Sequence, residues 1–256
     1  NMAAMRLAEL TAATKDPSGG KIIRDAQGNP TGVPVDNASS IVERKIPSPT
    51  MADARAALKD AIAVMHRWGL TGVHDAGASA PMIDLYEDMA KSKELGLRLY
   101  VMIGDDSTAL RKYMAMGPRS ALYDGQVWVR SIKLYADGAM GSRGAALLEP
   151  YSDDPNNTGL LLSAPAHIRD VAERALKSGF QVNTHAIGDR GNRVVLDAYE
   201  QALKTVPTAD HRFRVEHAQI INYDDIPRFA QLGVIPSMQA SHQTSDMYWI
   251  GKRLGP

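Results

Sequence analysis

The chain has 256 residues, 44% hydrophobic and 23% charged, which suits one large globular domain with a sizeable core. Its 29 Lys and Arg balance 29 Asp and Glu, so an extended nucleic-acid surface is not expected. No cysteine is present, which excludes disulfides, thiolate catalysis and cysteine zinc sites; a metal site would need His, Asp, Glu or a modified Lys.

No apolar run is long enough to span a membrane. The start, NMAAMRLAEL, has no basic stretch leading into an apolar one, so it does not read as a signal peptide. It opens on Asn1 and stops abruptly at RLGP, and both true ends are expected to lie outside it. A cytoplasmic location is expected, with a leader upstream of Asn1 left open. Residues 2–14 predict a short helix, stopped by Pro17, Gly19 and Gly20. KIIRD and TGVPVD predict a hairpin around AQGNP. Up to about Pro49 the chain reads as an excursion from the main fold.

A regular alternation then begins. Helices are predicted over 51–68, with Thr50 as N-cap, and over 81–95, with Ser79 as cap. Others fall at 107–116, 165–178, 189–204 with Asp189 as cap, and 222–232 with Asn222 as cap. Strands fall at GLTGVHDAG, LRLYVMI, QVWVRSIKLYADG, FQVNTHAIG, FRVEHAQI and VIPSMQAS. Gly69, Gly96, Gly179 and Gly233 each sit between a helix and the next strand. Strict alternation without a GxGxxG turn predicts an α/β fold, a (β/α)₈ TIM barrel, with six of eight units present. The whole of 1–256 is read as one incomplete barrel domain.

In such a barrel, chemistry lies at the C-terminal ends of the strands. His74, Asp75, Lys133, Asp137, His185, Glu216, His217, Gln239 and His242 are read there. His185 and His217 come from consecutive strands, so a divalent metal between them is one reading and two core histidines the other. Lys133 is a poor ligand as an ammonium. As a carbamate it offers two anionic oxygens; otherwise it reaches the sheet end or pairs with Asp137. Glu216 precedes His217 and is expected on the opposite face. His66, His167 and His211 are expected in solvent. The loop ADGAMGSRG is expected either to make tight turns or to close over substrate, with Arg143 as a partner for a carboxylate.

The segments IKLYADGAMGSRGAALLEPYSDDPNNTGLLL, GFQVNTHAIGDRGNRVVLDAYE, HRFRVEHAQII and DDIPRFAQLGVIPSMQASHQTSDM resemble the amidohydrolase superfamily, in its YtcJ-like branch. GGKIIRDAQGNPTG and GVHDAG are similar too, so the resemblance covers nearly the whole chain. It implies a metal-dependent hydrolase of amide or other C–N bonds acting on a small molecule, with one or two divalent ions, most plausibly zinc. The family's metal ligands fall on Lys133 (carboxylated), His185 and His217. Substrate contacts are expected from His74, Asp137, Arg143 and His242. No His-x-His pair occurs, and no strand-ending Asp stands where the family has its general base. The resemblance is therefore to a central fragment, and a non-catalytic remnant is the alternative. Two exposed sheet edges would leave the barrel open or close it by self-association.

Overall fold

The computed structural model describes residues 1–255. The helix expected over residues 2–14 is only α1 (Met2–Leu7), because Glu9 turns to a left-handed φ of 54°. The hairpin forms as expected, with β1 (Gly20–Arg24) antiparallel to β2 (Pro30–Asp36). A 3₁₀ turn (Asn37–Ser39) and α2 (Ser40–Glu43) lead on to α3 (Met51–Arg67). At α3, Thr50 accepts from the Asp53 N–H while the Asp53 carboxylate accepts from the Thr50 N–H. This reciprocal cap satisfies two of the helix's orphan donors.

The main body then alternates. In order come β3 (Gly72–Ala78), α4 (Ala80–Lys91), β4 (Arg98–Ile103), α5 (Ser107–Met116) and the short β5 (Arg119–Ala121). An irregular turn, α6 (Leu122–Gly125), precedes β6 (Val127–Tyr135) and α7 (Pro165–Ser178). After these come β7 (Gln181–Ala186), α8 (Asp189–Thr205), β8 (Arg214–His217), α9 (Ile226–Leu232) and β9 (Ile235–Ser237). The chain closes with α10 (Ser241–Asp246) and α11 (Ile250–Leu254).

Six strands lie parallel in the order β3-β4-β6-β7-β8-β9, with β5 pairing antiparallel to β6. This is the expected α/β sheet of an incomplete barrel, open along β3 and β9 among the described residues. The outward side chains of the strands pack against the helices. Leu99, Val101, Val127, Val129, Ile132, Leu134, Val182 and Val215 join Ile83, Met89, Ile168, Val171 and Val195 in one buried cluster. Each such aliphatic side chain contributes roughly 1.5–3 kcal/mol by leaving water. The four glycines at the helix-to-strand joins have φ of 74°, 68°, 77° and 68°, a left-handed turn that only glycine makes without strain.

Two expected caps differ. Ser79 makes no capping bond at α4. Asp189 is the first residue of α8 rather than its cap, and its carboxylate accepts from the Leu148 N–H at 2.9 Å. A capping role was displaced because the glycine loop after β6 offers Asp189 a donor of its own.

Candidate functional site

The parallel register aligns the ends of three strands. Lys133 stands opposite Asn183, Tyr135 opposite His185, and Ala186 opposite His217. Side chains from these positions meet on the concave face of the sheet. The His185 and His217 rings lie 4.6 Å apart, edge to face. Lys133 is buried, 3% exposed, and its ammonium donates to the Leu134 carbonyl at 2.9 Å. It packs 3.4 Å from the centre of the Tyr135 ring, which lies 5.6 Å from the His185 ring.

Each imidazole has one nitrogen engaged by its surroundings. His217 Nδ1 pairs with Gln239 Oε1 at 3.0 Å. His185 Nε2 faces the Gly138 carbonyl at 3.4 Å and Asp137 Oδ1 at 3.6 Å. Fixing one nitrogen orients the ring and leaves the other lone pair free. Burial drives the charges down. It pulls the Lys133 amine to about 7 against the opposing charge of Glu216. His185 falls to about 3, first through burial and then through the positive charges of His217 and Lys133. His217 is lowered too, again mainly by burial. Neutral imidazoles are what a metal requires.

Asp137 anchors the ensemble. It is fully buried, and its carboxylate accepts from the Ala146, Ile187 and Gly188 N–H groups at 2.8, 2.9 and 2.8 Å. Burial pushes its carboxyl up to about 7, while the three N–H groups pull the other way. Both oxygens face the backbone, so Asp137 ties the glycine loop to the turn after β7 and offers nothing to a substrate. Arg143 is likewise committed. It has a φ of 57°, and its guanidinium grips Asp153 through two bonds of 2.9 Å. A substrate carboxylate would have to displace Asp153.

His74 does not lie at the strand ends. The β3 strand continues to Ala78, which leaves His74 in register with Tyr100, itself in register with Trp128, in the N-terminal half of the sheet. There it stacks on Tyr100 with ring centres 4.7 Å apart and meets Arg214 at 3.3 Å. Asp75 points outward and accepts from the Tyr86 hydroxyl at 2.6 Å. His242 is brought close, 6.0 Å from the His217 ring, and lines a cavity of about 610 Å³ with Met238, Met247 and Ile250.

Glu216 corrects the strand-alternation expectation. It faces the same concave side as Arg214, two residues earlier, and pairs with it at 2.5 Å. Alternation fails because the backbone turns at His217, the last residue of β8, and at Ala218, with φ of 75° and 45°. His211, expected in solvent, is only 8% exposed and bridges the Leu232 carbonyl and the Phe213 N–H. His66 meets the Gly96 carbonyl, and His167 pairs with Asp105. Tyr135 and Gln239 also belong to the site. Tyr135 was readable only as a β-prone residue. Gln239 stood among the strand-end polar residues without an assigned role.

The donor chemistry suits a divalent ion, since His185 and His217 are neutral, close together and oriented by their neighbours. The set is also sparse. Among the described residues, no three His, Asp or Glu side chains converge into a metal-holding group.

The profile of the amidohydrolase family matches residues 1–256. The chain belongs to the amidohydrolase family. One relative is the putative amidohydrolase YtcJ of Bacillus subtilis (strain 168), 32% identical, which covers 100% of this chain and 48% of its own length. Another is the N-substituted formamide deformylase of Arthrobacter pascens, 29% identical, with coverage of 91% and 44%. Among solved structures, an uncharacterized metal-dependent hydrolase from Pyrococcus furiosus superposes with a TM-score of 0.77 at 25% identity. That match covers 100% of this chain and 50% of the other. This amidohydrolase-family chain therefore spans about half the length of the curated relatives it matches.

Proposed function

We propose that this chain supplies part of the active site of a metal-dependent hydrolase that cleaves an amide or related C–N bond of a small molecule with an activated water. The observation that carries this reading is the meeting of Lys133, His185 and His217 at the ends of consecutive strands, all three with depressed pKa values. The family, the structural likeness to a metal-dependent hydrolase, and a relative named for acting on N-substituted formamides support it.

In this reading His185 and His217 hold a divalent ion, zinc in our proposal, through the ring nitrogens not engaged by Gly138 and Gln239. Lys133 completes the set after its neutral amine adds carbon dioxide: a C–N bond forms, a proton leaves, and an anionic carbamate results. An amine held near 7 has a large neutral fraction at physiological pH, which this addition needs. When bound, the ion would supply Lewis acidity and lower the pKa of a water. The Gly138 carbonyl and Gln239 act by holding the imidazoles in orientation.

A folded remnant without turnover is the second reading. It is favoured by the lack of a ready three-ligand group among the described residues. Metal content of the purified chain, with ¹³C NMR after ¹³C-bicarbonate loading, decides between them. The hydrolase reading expects stoichiometric zinc and a carbamate resonance, both lost in Lys133→Ala, and zinc lost in His217→Asn. A chain that takes up neither belongs to the second reading.

A further inference from the structure

Beyond β9 the chain runs through α10 and α11 and encloses, with the end of β8, a cavity of about 610 Å³. That volume suits a small-molecule site. Its walls are mainly apolar, formed by Ile220, Met238, Met247 and Ile250. Met238 and Met247 are each 62% exposed. Large apolar side chains left in water around one cavity call for an occupant. A methionine side chain is unbranched and polarisable, so it adapts to apolar groups of different shape.

The cavity is continuous with the strand-end site. His217 lines it, together with Gln239, which holds the His217 ring, and His242, whose ring lies 6.0 Å from that of His217. The outer wall is fixed in place. Trp249 and Ile250 pack on the apolar cluster of the glycine loop. The Ser152 N–H donates to the Arg253 carbonyl at 2.8 Å, and the Arg253 guanidinium pairs with Asp153 and donates to the Gly141 carbonyl at 3.0 Å. Among the residues that line the cavity, Asp246 alone carries a formal charge. Both of its oxygens are engaged, by the Gln219 amide at 2.6 Å and the Ser245 hydroxyl at 2.8 Å. A charged group entering here would lose hydration and meet no unpaired countercharge.

We propose that this cavity receives a neutral, apolar substituent of the substrate amide, an alkyl chain or an aromatic ring, and that Met238 and Met247 set the preference for it. This deepens the amide-hydrolase reading and rests on it for the identity of the ligand as substrate. The histidines and the methionines then divide the work: the strand ends take the polar amide, and the cavity takes the carbon skeleton beside it. Amides with a longer apolar arm are selected over short ones, and over those whose arm carries a charge.

The test uses the 256-residue chain and needs no turnover. The chain is labelled with ¹³C at the methionine methyls and titrated by NMR with N-ethylacetamide, N-hexylacetamide and hexylammonium. Met238→Leu and Met247→Leu assign the two methyl resonances. The proposal expects N-hexylacetamide to shift both and to leave the exposed Met116 methyl of α5 unmoved. It expects N-hexylacetamide to bind about tenfold tighter than N-ethylacetamide, as four methylenes half removed from water imply. The ratio should fall to about two in the double variant Met238→Gln, Met247→Gln and persist in the double variant with Leu at both positions. A ratio near one in the parent, a ratio that survives the Gln pair, or equal binding of hexylammonium overturns the proposal. So does a titration that leaves both methyls unmoved. Zinc uptake and the Lys133 carbamate do not depend on these methionines. Normal zinc uptake without a chain-length preference therefore sinks the cavity's role alone, and a preference without zinc uptake sinks the hydrolase reading.

Discussion

Replacing Asp137 by Ala removes the one acceptor shared by three buried backbone donors, the N–H groups of Ala146, Ile187 and Gly188. A buried donor left without a partner costs about 1–3 kcal/mol, so three give roughly 3–9 kcal/mol before relaxation. Two effects offset part of this. The carboxylate is itself strained by burial, as its upward pKa shift to about 7 shows, and water can enter the space it vacates. A net loss of about 4 kcal/mol is expected for Asp137→Ala. Asp137→Asn keeps one acceptor oxygen but turns an NH₂ toward a donor, and about 2 kcal/mol is expected. Urea unfolding followed by circular dichroism measures both, with an unchanged slope as the check that the unfolded state is the same. A loss under about 0.5 kcal/mol for Asp137→Ala would refute the anchoring role. The loop would then be held by its apolar contacts through Met140, Leu147, Tyr151 and Ile187 and by the bonds of Leu148 to Asp189 and of Tyr151 to Ala145.

Gly188→Ala places a methyl group against the Ala146 carbonyl, a backbone atom that cannot swing aside, and should lower stability by roughly 3 kcal/mol or more in the same assay. Gly28→Ala, in open space but at a φ of 85°, isolates backbone strain from collision and should lose no more than about 1–2 kcal/mol. Glu94 supplies a pH dependence. Its bond to Lys59 draws its pKa from the ordinary 4.5 to about 2. A depressed carboxylate stabilises above its unfolded pKa and loses that contribution as pH falls through its folded one. The urea midpoint of the parent should therefore exceed that of Glu94→Gln above pH 4.5, with the gap closing toward pH 2. A gap that persists at the lowest pH would show that packing, not charge, separates the two.

Local patterns made most of the fold legible. The apolar spacing of α3, the Thr50 cap and the four glycines at the joins are all short-range signals, and each appears where the sequence implies it. Lys133, His185 and His217 could be grouped because consecutive parallel strands must bring their ends together. The misreadings share a different cause. The turn-like Gly that ends GVHDAG points to a strand end at His74, yet Gly77 has a φ of 126° and the strand runs through it. Alternation turns Glu216 outward only inside a regular strand, and β8 stops one residue later. Asp36 was invisible because its neighbours are Gly138 and Gly144, about a hundred residues away, and a glycine in sequence does not tell what occupies the space it leaves.

That last point changes what the loop after Lys133 is. Three glycines in nine residues suggested a segment free to close over a substrate. Each of the two that matter is instead filled from outside, Gly138 and Gly144 by the Asp36 carboxylate. The flanking backbone is held as well: Ala146 and Leu148 donate to Asp137 and Asp189, and Tyr151 donates to the Ala145 carbonyl at 2.7 Å. Met140, Ala145 and Leu147 are buried in a cluster of their own. A segment held by two carboxylates and an apolar cluster has little freedom to move, so the glycines serve close approach rather than motion. The loop is a fixed wall beside His185, and its sequence is constrained by the carboxylates it must admit.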